Sequence, residues 1–193
     1  MCIALSPAVS GNAAMTEIPL MPIEQYERLQ LRNNADEKAL WDLLDAVTDP
    51  EVPVLTLWDL GVLRDIERNG EQVVVTITPT YSGCPAMNTM ADDITLALKQ
   101  AGFDDVQIKT KLAPAWSSEW MTQEGRRKLR NYGIAPPEDA ELDEDGLTPD
   151  AHAQCPHCHS RNTRRISEFG STACKALFQC NDCNEPFDYF KKI

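Results

Sequence analysis

Thr78-Pro79-Thr80-Tyr81-Ser82-Gly83-Cys84-Pro85-Ala86-Met87 joins two segments of different periodicity. Before it, Val73, Val75 and Ile77 alternate with Val74, Thr76 and Thr78, the period-two pattern of a strand. After it, Met87, Met90, Ala91, Ile94, Ala97 and Leu98 recur at helical spacing as far as Gln100, with Gly102 as the stop. The pattern predicts Cys84 near a helix N-cap, with Pro85 at the favoured first helical position. Free N–H groups and the positive end of the helix dipole favour a thiolate there. A thiolate either binds a soft metal or attacks an electrophile. The plain structural alternative is a small buried cysteine capping a helix.

Working outward, residues 61–68 and 72–78 read as two strands, and Asn69-Gly70 between them is a hairpin signal. Upstream, residues 36–48 read as a helix with Ala39, Leu40, Leu43, Leu44 and Val47 on one face. Asp49-Pro50-Glu51-Val52-Pro53 stops it, because proline disfavours helix in the residue before it. Downstream, Val106, Ile108, Thr110 and Leu112 alternate with polar residues as a third strand. A last helix is expected over residues 118–132, stopped by Gly133 and Pro136-Pro137. Arg126, Arg127, Lys128 and Arg130 cluster near its end, either matching the dipole or forming a docking patch for an acidic partner. The order α-β-β-α-β-α predicts an α+β domain, a small mixed sheet with helices on one face. Residues 1–35 sustain no period and read as a flexible N-terminal extension.

The chain has 193 residues, enough for one or two small domains, and its 42% hydrophobic content suffices for a core. No apolar run approaches the roughly 20 residues of a membrane span. Residues 1–14 lack the basic start and apolar stretch of a secretory signal, so the expected location is cytoplasmic, with no membrane partner. Seven cysteines in that setting point to metal or redox chemistry before disulfides. The net charge of −12 is uneven: −7 over residues 1–136, −7 over residues 137–150 and +2 over residues 151–193. The acidic run reads as a solvated linker over residues 137–152, and the negative total argues against a nucleic-acid partner.

Beyond that linker, Cys155-Pro156-His157-Cys158 and Cys180-Asn181-Asp182-Cys183 form two Cys-x-x-Cys knuckles separated by 21 residues. Tetrahedral zinc takes four thiolates, and each knuckle supplies two. A segment this small, with few large apolar side chains, needs metal binding to fold. The expectation is therefore a structural zinc ribbon over residues 153–193, with Cys155, Cys158, Cys180 and Cys183 as ligands. Alternatives stay open: Cys174 as an extra or substitute ligand, His157 or His159 as ligands, iron in place of zinc, or a redox dithiol.

Asp49-Pro50-Glu51, Leu57-Trp58-Asp59-Leu60-Gly61 and Tyr81-Ser82-Gly83-Cys84-Pro85 resemble the MIP18-like (DUF59) family of iron–sulfur assembly factors. Two further segments narrow the resemblance. They are Leu112-Ala113-Pro114-Ala115-Trp116-Ser117-Ser118-Glu119-Trp120-Met121 and Glu168-Phe169-Gly170-Ser171-Thr172-Ala173-Cys174-Lys175-Ala176-Leu177. With the knuckles they are similar to the PaaD (PaaJ) family of subunits of the phenylacetyl-CoA epoxidase system. The likeness covers about residues 37–193, and residues 1–35 depart from it.

The resemblance implies a MIP18-like domain over residues 36–136 and a role in aerobic phenylacetate catabolism. In that system a di-iron oxygenase and a flavin/iron–sulfur reductase epoxidise the ring. This chain has no Glu-x-x-His pair and no Gly-x-Gly-x-x-Gly, so it is not itself the oxidant. The implied role is assembly or repair of an iron or iron–sulfur centre in the oxygenase or reductase. By the same resemblance Cys84 handles iron or cluster, and Asp49 and Glu51 shape or ligate that site; a helix stop with hydrogen bonding is their alternative role. One cysteine is too few for a cluster, so the second ligand must come from another copy in a homodimer, Cys174, a carboxylate or an exogenous thiol. Two other functions compete. One is a non-catalytic adaptor that docks epoxidase components. The other is a thiol enzyme using Cys84, for which a base is wanting because the histidines lie at 152, 157 and 159.

Overall fold

The computed structural model describes residues 23–33, 37–137 and 153–193. Strands β1 (Leu63–Asn69) and β2 (Gln72–Ile77) form an antiparallel hairpin. Asn69 pairs with Gln72, so the loop is Gly70-Glu71, one residue later than the Asn-Gly signal suggests. Gly70 takes φ +65°, and only the first loop residue needs the positive angle. An α-helical crossover, Met87–Gln100, then returns the chain to β3 (Asp105–Thr110), which lies parallel to β2. The sheet order is β1-β2-β3, so β2 is central.

That position explains a departure from simple alternation. Val73, Val75 and Ile77 face the main core, yet Val74 and Thr76 are buried as well. Register sets Val74 between Glu67 and Gln107, and Thr76 between Asp65 and Lys109, whose longer side chains flank the shorter ones. On the core face the sheet meets three helices: α2 (Lys38–Leu44) through Leu40, Trp41 and Leu44, α3 (Leu57–Leu60) through Leu57 and Leu60, and α4, the crossover, through Met90, Ile94 and Leu98.

An additional helix, α1 (Ile23–Arg32) in the chain-order numbering that makes the others α2 to α4, lies where a flexible extension was expected. Its docked face is polar, which is why no apolar period betrays it. The Arg28 guanidinium, 2% exposed, donates to the carbonyls of Trp120 at 2.5 Å and Trp58 at 3.0 Å, and stacks 4.3 Å over the Trp58 ring. Burial, with Arg64 and Arg32 nearby, lowers the Arg28 pKa to about 9. The rest of the expected extension lies outside the described residues.

The helix expected over residues 118–132 is broken in two. Ser118–Trp120 is one 3-10 turn, Met121 and Thr122 are extended, and α5 runs Gln123–Tyr132. The Thr122 hydroxyl caps α5 by accepting from Gly125 N at 2.9 Å and donates to Asp59 Oδ1 at 2.9 Å. Asp59 also closes a capping box with Thr56 and receives Lys128 Nζ at 2.6 Å. The Leu57-to-Gly61 motif is thus a structural joint. Gly61 at its end takes φ +82°, and a Cβ there would sit 2.8 Å from Trp120. The α5 cations are largely committed inside the molecule: Lys128 to Asp59, Arg127 to Glu124, and Arg126 to the carbonyls of Ser118 and Pro137. Intramolecular pairing accounts for them better than an open docking patch.

Burial alone would raise the Asp59 pKa, but Lys128, Thr122 and Thr56 together hold it below the ordinary carboxylate value. Its stabilisation is therefore present above the unfolded carboxylate pKa of about 4 and lost as pH falls through the lower folded value. Asp59→Asn is expected to cost about 1–3 kcal/mol at pH 7. The difference from wild type should shrink toward zero in urea titrations repeated below the carboxylate range.

The C-terminal segment forms β5 (Thr163–Ser167), β6 (Lys175–Cys180) and β7 (Pro186–Phe190). Its sheet has the order β4-β7-β6-β5, in which β4 (Ile134–Ala135) comes from the end of α5 and pairs parallel to β7. The two halves of the chain thus share a sheet. Phe190 and Cys174 also enter the main core, Phe190 lying 6.0 Å from Trp116 between ring centres. The Ile193 carbonyl accepts from Ser118 N at 3.0 Å. Apart from Pro137, the expected acidic linker lies outside the described residues. No helix among the described residues is long and apolar enough to cross a membrane.

Candidate functional site

Two thiol-bearing sites emerge, one within the C-terminal sheet and one at its junction with the first domain. The first contains Cys155, Cys158, Cys180 and Cys183, whose sulfur atoms all lie within 4.8 Å of one another. Cys158 and Cys180 are 3.5 Å apart, and Cys155 and Cys183 are 3.8 Å apart. Thiolates at about 2.3 Å from a tetrahedral zinc are separated by about 3.8 Å, so the tetrad fits a metal of that kind.

The backbone makes this arrangement. Each knuckle turns back through the residue after its second cysteine, His159 and Asn184, both at φ 62°. Cys155 N donates to Ser160 O and Cys180 N to Glu185 O, fixing the first cysteine of each knuckle. Backbone N–H groups of Cys183 and Asp182 help lower the Cys180 thiol, against burial, while the neighbouring Cys158 and Cys183 thiols are pushed up, so the four share their remaining protons until a cation displaces them. His157 and His159 are exposed and stand outside the tetrad. So does Cys174, which removes it as a fifth ligand. The apolar support is slight: Phe178, Phe187 and Tyr189 with a few alanines. Among the described residues this is the one group of three or more potential ligands packed so closely.

Cys84, Cys174, Asp49 and Glu51, from three distant stretches of sequence, lie within electrostatic range of one another without the close packing of the ribbon thiols. Cys84 does not cap α4 as expected. The helix starts at Met87 with Ala86 as its cap residue, and Pro85 precedes it in a turn. The helix dipole therefore does not dominate. Burial pushes the Cys84 thiol up, the Ala86 N–H opposes this, and Glu51, Asp49 and Cys174 add to the rise. The expected stabilised thiolate gives way to a thiol that keeps its proton, a poor nucleophile at neutral pH. That counts against the thiol-enzyme reading.

Asp49 is buried, and its Oδ1 accepts from Glu51 N and Val52 N, each at 2.8 Å. It is thus the clasp of the loop that carries Glu51. Burial raises the Asp49 pKa despite these bonds and the nearby Lys175. Glu51 is raised by burial and by Asp49. Cys174 is raised by burial and by Glu51 and Asp49, against a bond with Thr172 whose oxygen lies 3.0 Å from the sulfur. Burial and the nearby negative groups thus raise all four, making each easier to protonate than it would be in water. Such a set lacks positive charge and has the donors, two soft and two hard, for a cation to replace protons.

Sequence reading missed Lys175, which is buried, lies 3.2 Å from Asp188 and offsets part of the negative field at Asp49, Glu51 and Cys174. Its position after Cys174 in an otherwise apolar strand, Ala176-Leu177-Phe178, was the available signal.

Two family models match different parts of the chain. Residues 37–110 match the family described as iron–sulfur cluster assembly protein, and residues 140–191 match the PaaD zinc beta ribbon domain. A protein of Escherichia coli K12, named as a component of 1,2-phenylacetyl-CoA epoxidase, is 49% identical over 158 residues, which are 80% of this chain and 92% of that one. A protein of Porphyromonas gingivalis W83, named Fe-S protein maturation auxiliary factor, is 30% identical over 95 residues, 48% of this chain and 90% of its own. A DUF59 domain structure from Bacillus anthracis overlays with a TM-score of 0.46 at 27% identity, covering 48% of this chain and 90% of that domain.

Proposed function

Because the chain belongs to the PaaD family of phenylacetyl-CoA epoxidase components, we propose that it is a cytoplasmic accessory subunit that assembles or repairs an iron or iron–sulfur centre of the oxygenase or reductase. Its partners are those two proteins, and it does not oxidise substrate. The observation that supports this reading is the site at Cys84, where a thiol and two carboxylates lie in a field short of positive charge. Iron is the cargo of that site. Asp49 keeps the Glu51 loop in place, the Ala86 N–H orients the Cys84 sulfur, and Lys175 limits repulsion while no cation is present. Loading displaces the thiol proton to water, so uptake should strengthen as pH rises toward the raised Cys84 value.

Zinc is the resident metal of Cys155, Cys158, Cys180 and Cys183. When bound it cross-links the two knuckles, and a four-thiolate shell leaves no open position for chemistry. The adaptor reading keeps the ribbon as a docking module but loses its basic helix, whose charges are mostly paired within the molecule. The test is to purify oxygenase and reductase without oxygen from cells lacking this protein and from complemented cells. Iron per partner protein is expected to fall at least fivefold without it. Partners with normal iron and sulfide from deleted cells would overturn the proposal.

A further inference from the structure

We propose that Asp182 is a positioning residue for the ribbon's metal: by clasping Ser160 and Asn162 across the two knuckles it ties down Cys158, the ligand open to solvent, and so sets how firmly the metal is kept. This rests on the reading of the ribbon as a zinc site and goes beyond it by naming the ligand at which the metal is lost.

The four ligands are not equally protected. Cys155 and Cys180 are buried and Cys183 is half-buried, but Cys158 is exposed. A competing donor therefore reaches the metal first at Cys158. In that exchange Cys158 gives up its bond to the metal, a donor atom of the competitor takes its place, and no oxidation state changes. A thiolate held close by its own chain returns before a second ligand is lost, because its effective concentration at the metal stays high. Retention thus depends on how far the chain after Cys158 can swing away.

That chain is clasped. Four hydrogen bonds cross from the residues after Cys158 to the second knuckle. Ser160 Oγ donates to Asp182 Oδ2 at 2.5 Å, and Asn162 Nδ2 donates to Asp182 Oδ1 at 2.7 Å. Asn181 adds two bonds to Asn162, from its backbone N to the carbonyl at 2.8 Å and from Nδ2 to Oδ1 at 2.9 Å. Ser160 Oγ also accepts from Asn162 N at 3.0 Å, which closes the turn. Both oxygens of one carboxylate are thus engaged, each by a different residue of the opposite loop.

The clasp spans the same gap as the Cys158 and Cys180 sulfurs, which lie 3.5 Å apart. Ser160 stands two residues after Cys158, and Asp182 two after Cys180. The backbone N–H of each also donates to the sulfur of its own knuckle's cysteine. Asp182 is exposed and lies outside the apolar support of the ribbon. A carboxylate beside four thiolates is electrostatically unfavourable, so its place there is explained by the bonds it makes. Its removal should free Cys158 without loosening the sheet.

The test uses full-length, zinc-loaded protein, with zinc transfer to excess 4-(2-pyridylazo)resorcinol timed by colour. Ser160→Ala and Asp182→Ala are each expected to release zinc about tenfold faster than wild type. The double variant should be no more than about twice as fast as Asp182→Ala, because the two residues share one clasp. Asp182→Asn, whose amide can accept from Asn162 and donate to Ser160, is expected to stay within about threefold of wild type. Hydrogen exchange of β6 and β7 in the zinc-loaded variants should match wild type, and faster exchange there would make Asp182 a general structural residue and overturn the proposal. Wild-type release in both alanine variants, or rates that multiply in the double variant, would overturn the clasp and leave the zinc site standing. A rate for Asp182→Asn equal to that of Asp182→Ala would assign the effect to charge and likewise overturn it. Wild-type protein that holds no zinc would remove both readings. Should Asp182→Ala be isolated without zinc, Ser160→Ala and Asp182→Asn decide by the same outcomes.

Discussion

Cells in which this protein carries Cys84→Ala are expected to lose at least tenfold in phenylacetyl-CoA epoxidase turnover while the amounts of oxygenase and reductase stay normal. The substitution is mild for the fold. Cys84 is half-buried at the edge of the core and heads a turn rather than capping a helix, so its removal should cost about 1 kcal/mol. The variant should remain soluble and retain its zinc. What it loses is the soft ligand, without which Asp49 and Glu51 form a carboxylate pair with little preference for iron over magnesium.

Asp49 provides the companion experiment. Asparagine can still accept from the Glu51 and Val52 N–H groups, so Asp49→Asn preserves the loop and removes one charge. Asp49→Ala removes the clasp and should cost about 1–2 kcal/mol. Turnover is expected to order as wild type, Asp49→Asn, Asp49→Ala, Cys84→Ala. Full turnover in Cys84→Ala cells would show that the thiol is structural and return weight to the docking adaptor.

Removing the ribbon metal is expected to have the largest structural effect. A structural zinc site contributes about 10–16 kcal/mol of apparent binding free energy at neutral pH, comparable with the whole stability of a domain at about 5–15 kcal/mol. Three aromatic side chains and a few alanines cannot replace it. Cys155→Ser, or chelation of the wild-type metal, should therefore unfold residues 153–193, release the backbone at the already exposed Arg161, Arg164 and Arg165 for cleavage by trypsin, and free β4 from β7. The α2-to-α5 domain keeps most of its own core and should persist with reduced stability, because Phe190 and Cys174 leave it. Hydrogen exchange by mass spectrometry separates the regions. Continued protection of β6 and β7 after full chelation would mean that the metal is not what holds the ribbon.

The parts legible in the sequence were those with a strong local period or spacing. Val73, Val75 and Ile77 announced β2, Met90, Ile94 and Leu98 announced α4, and the two Cys-x-x-Cys pairs announced the tetrad. What escaped depends on contacts between segments far apart in sequence. The α1 helix docks through Gln25 and Arg28 onto backbone carbonyls, which leaves no hydrophobic signature. Met121 and Thr122 break a helix that local pattern would continue, because Thr122 is claimed by Asp59, 63 positions away. Ile134-Ala135, between the Gly133 stop and the prolines, carried no strand expectation and is a strand of the ribbon sheet. The environment of Cys84 was misjudged for the same reason. A helix N-terminus predicts a lowered thiol, but burial, with the Asp49-loop carboxylates and Cys174 adding to it, raises the thiol instead.

Zinc, iron and acid-labile sulfide per chain, measured on protein purified without oxygen, wild type beside Cys84→Ala, test the central claim most directly. The account predicts about one zinc per chain in both proteins, with iron and sulfide in wild type alone. Zinc in both with iron and sulfide in neither, or equal iron in both, would contradict it.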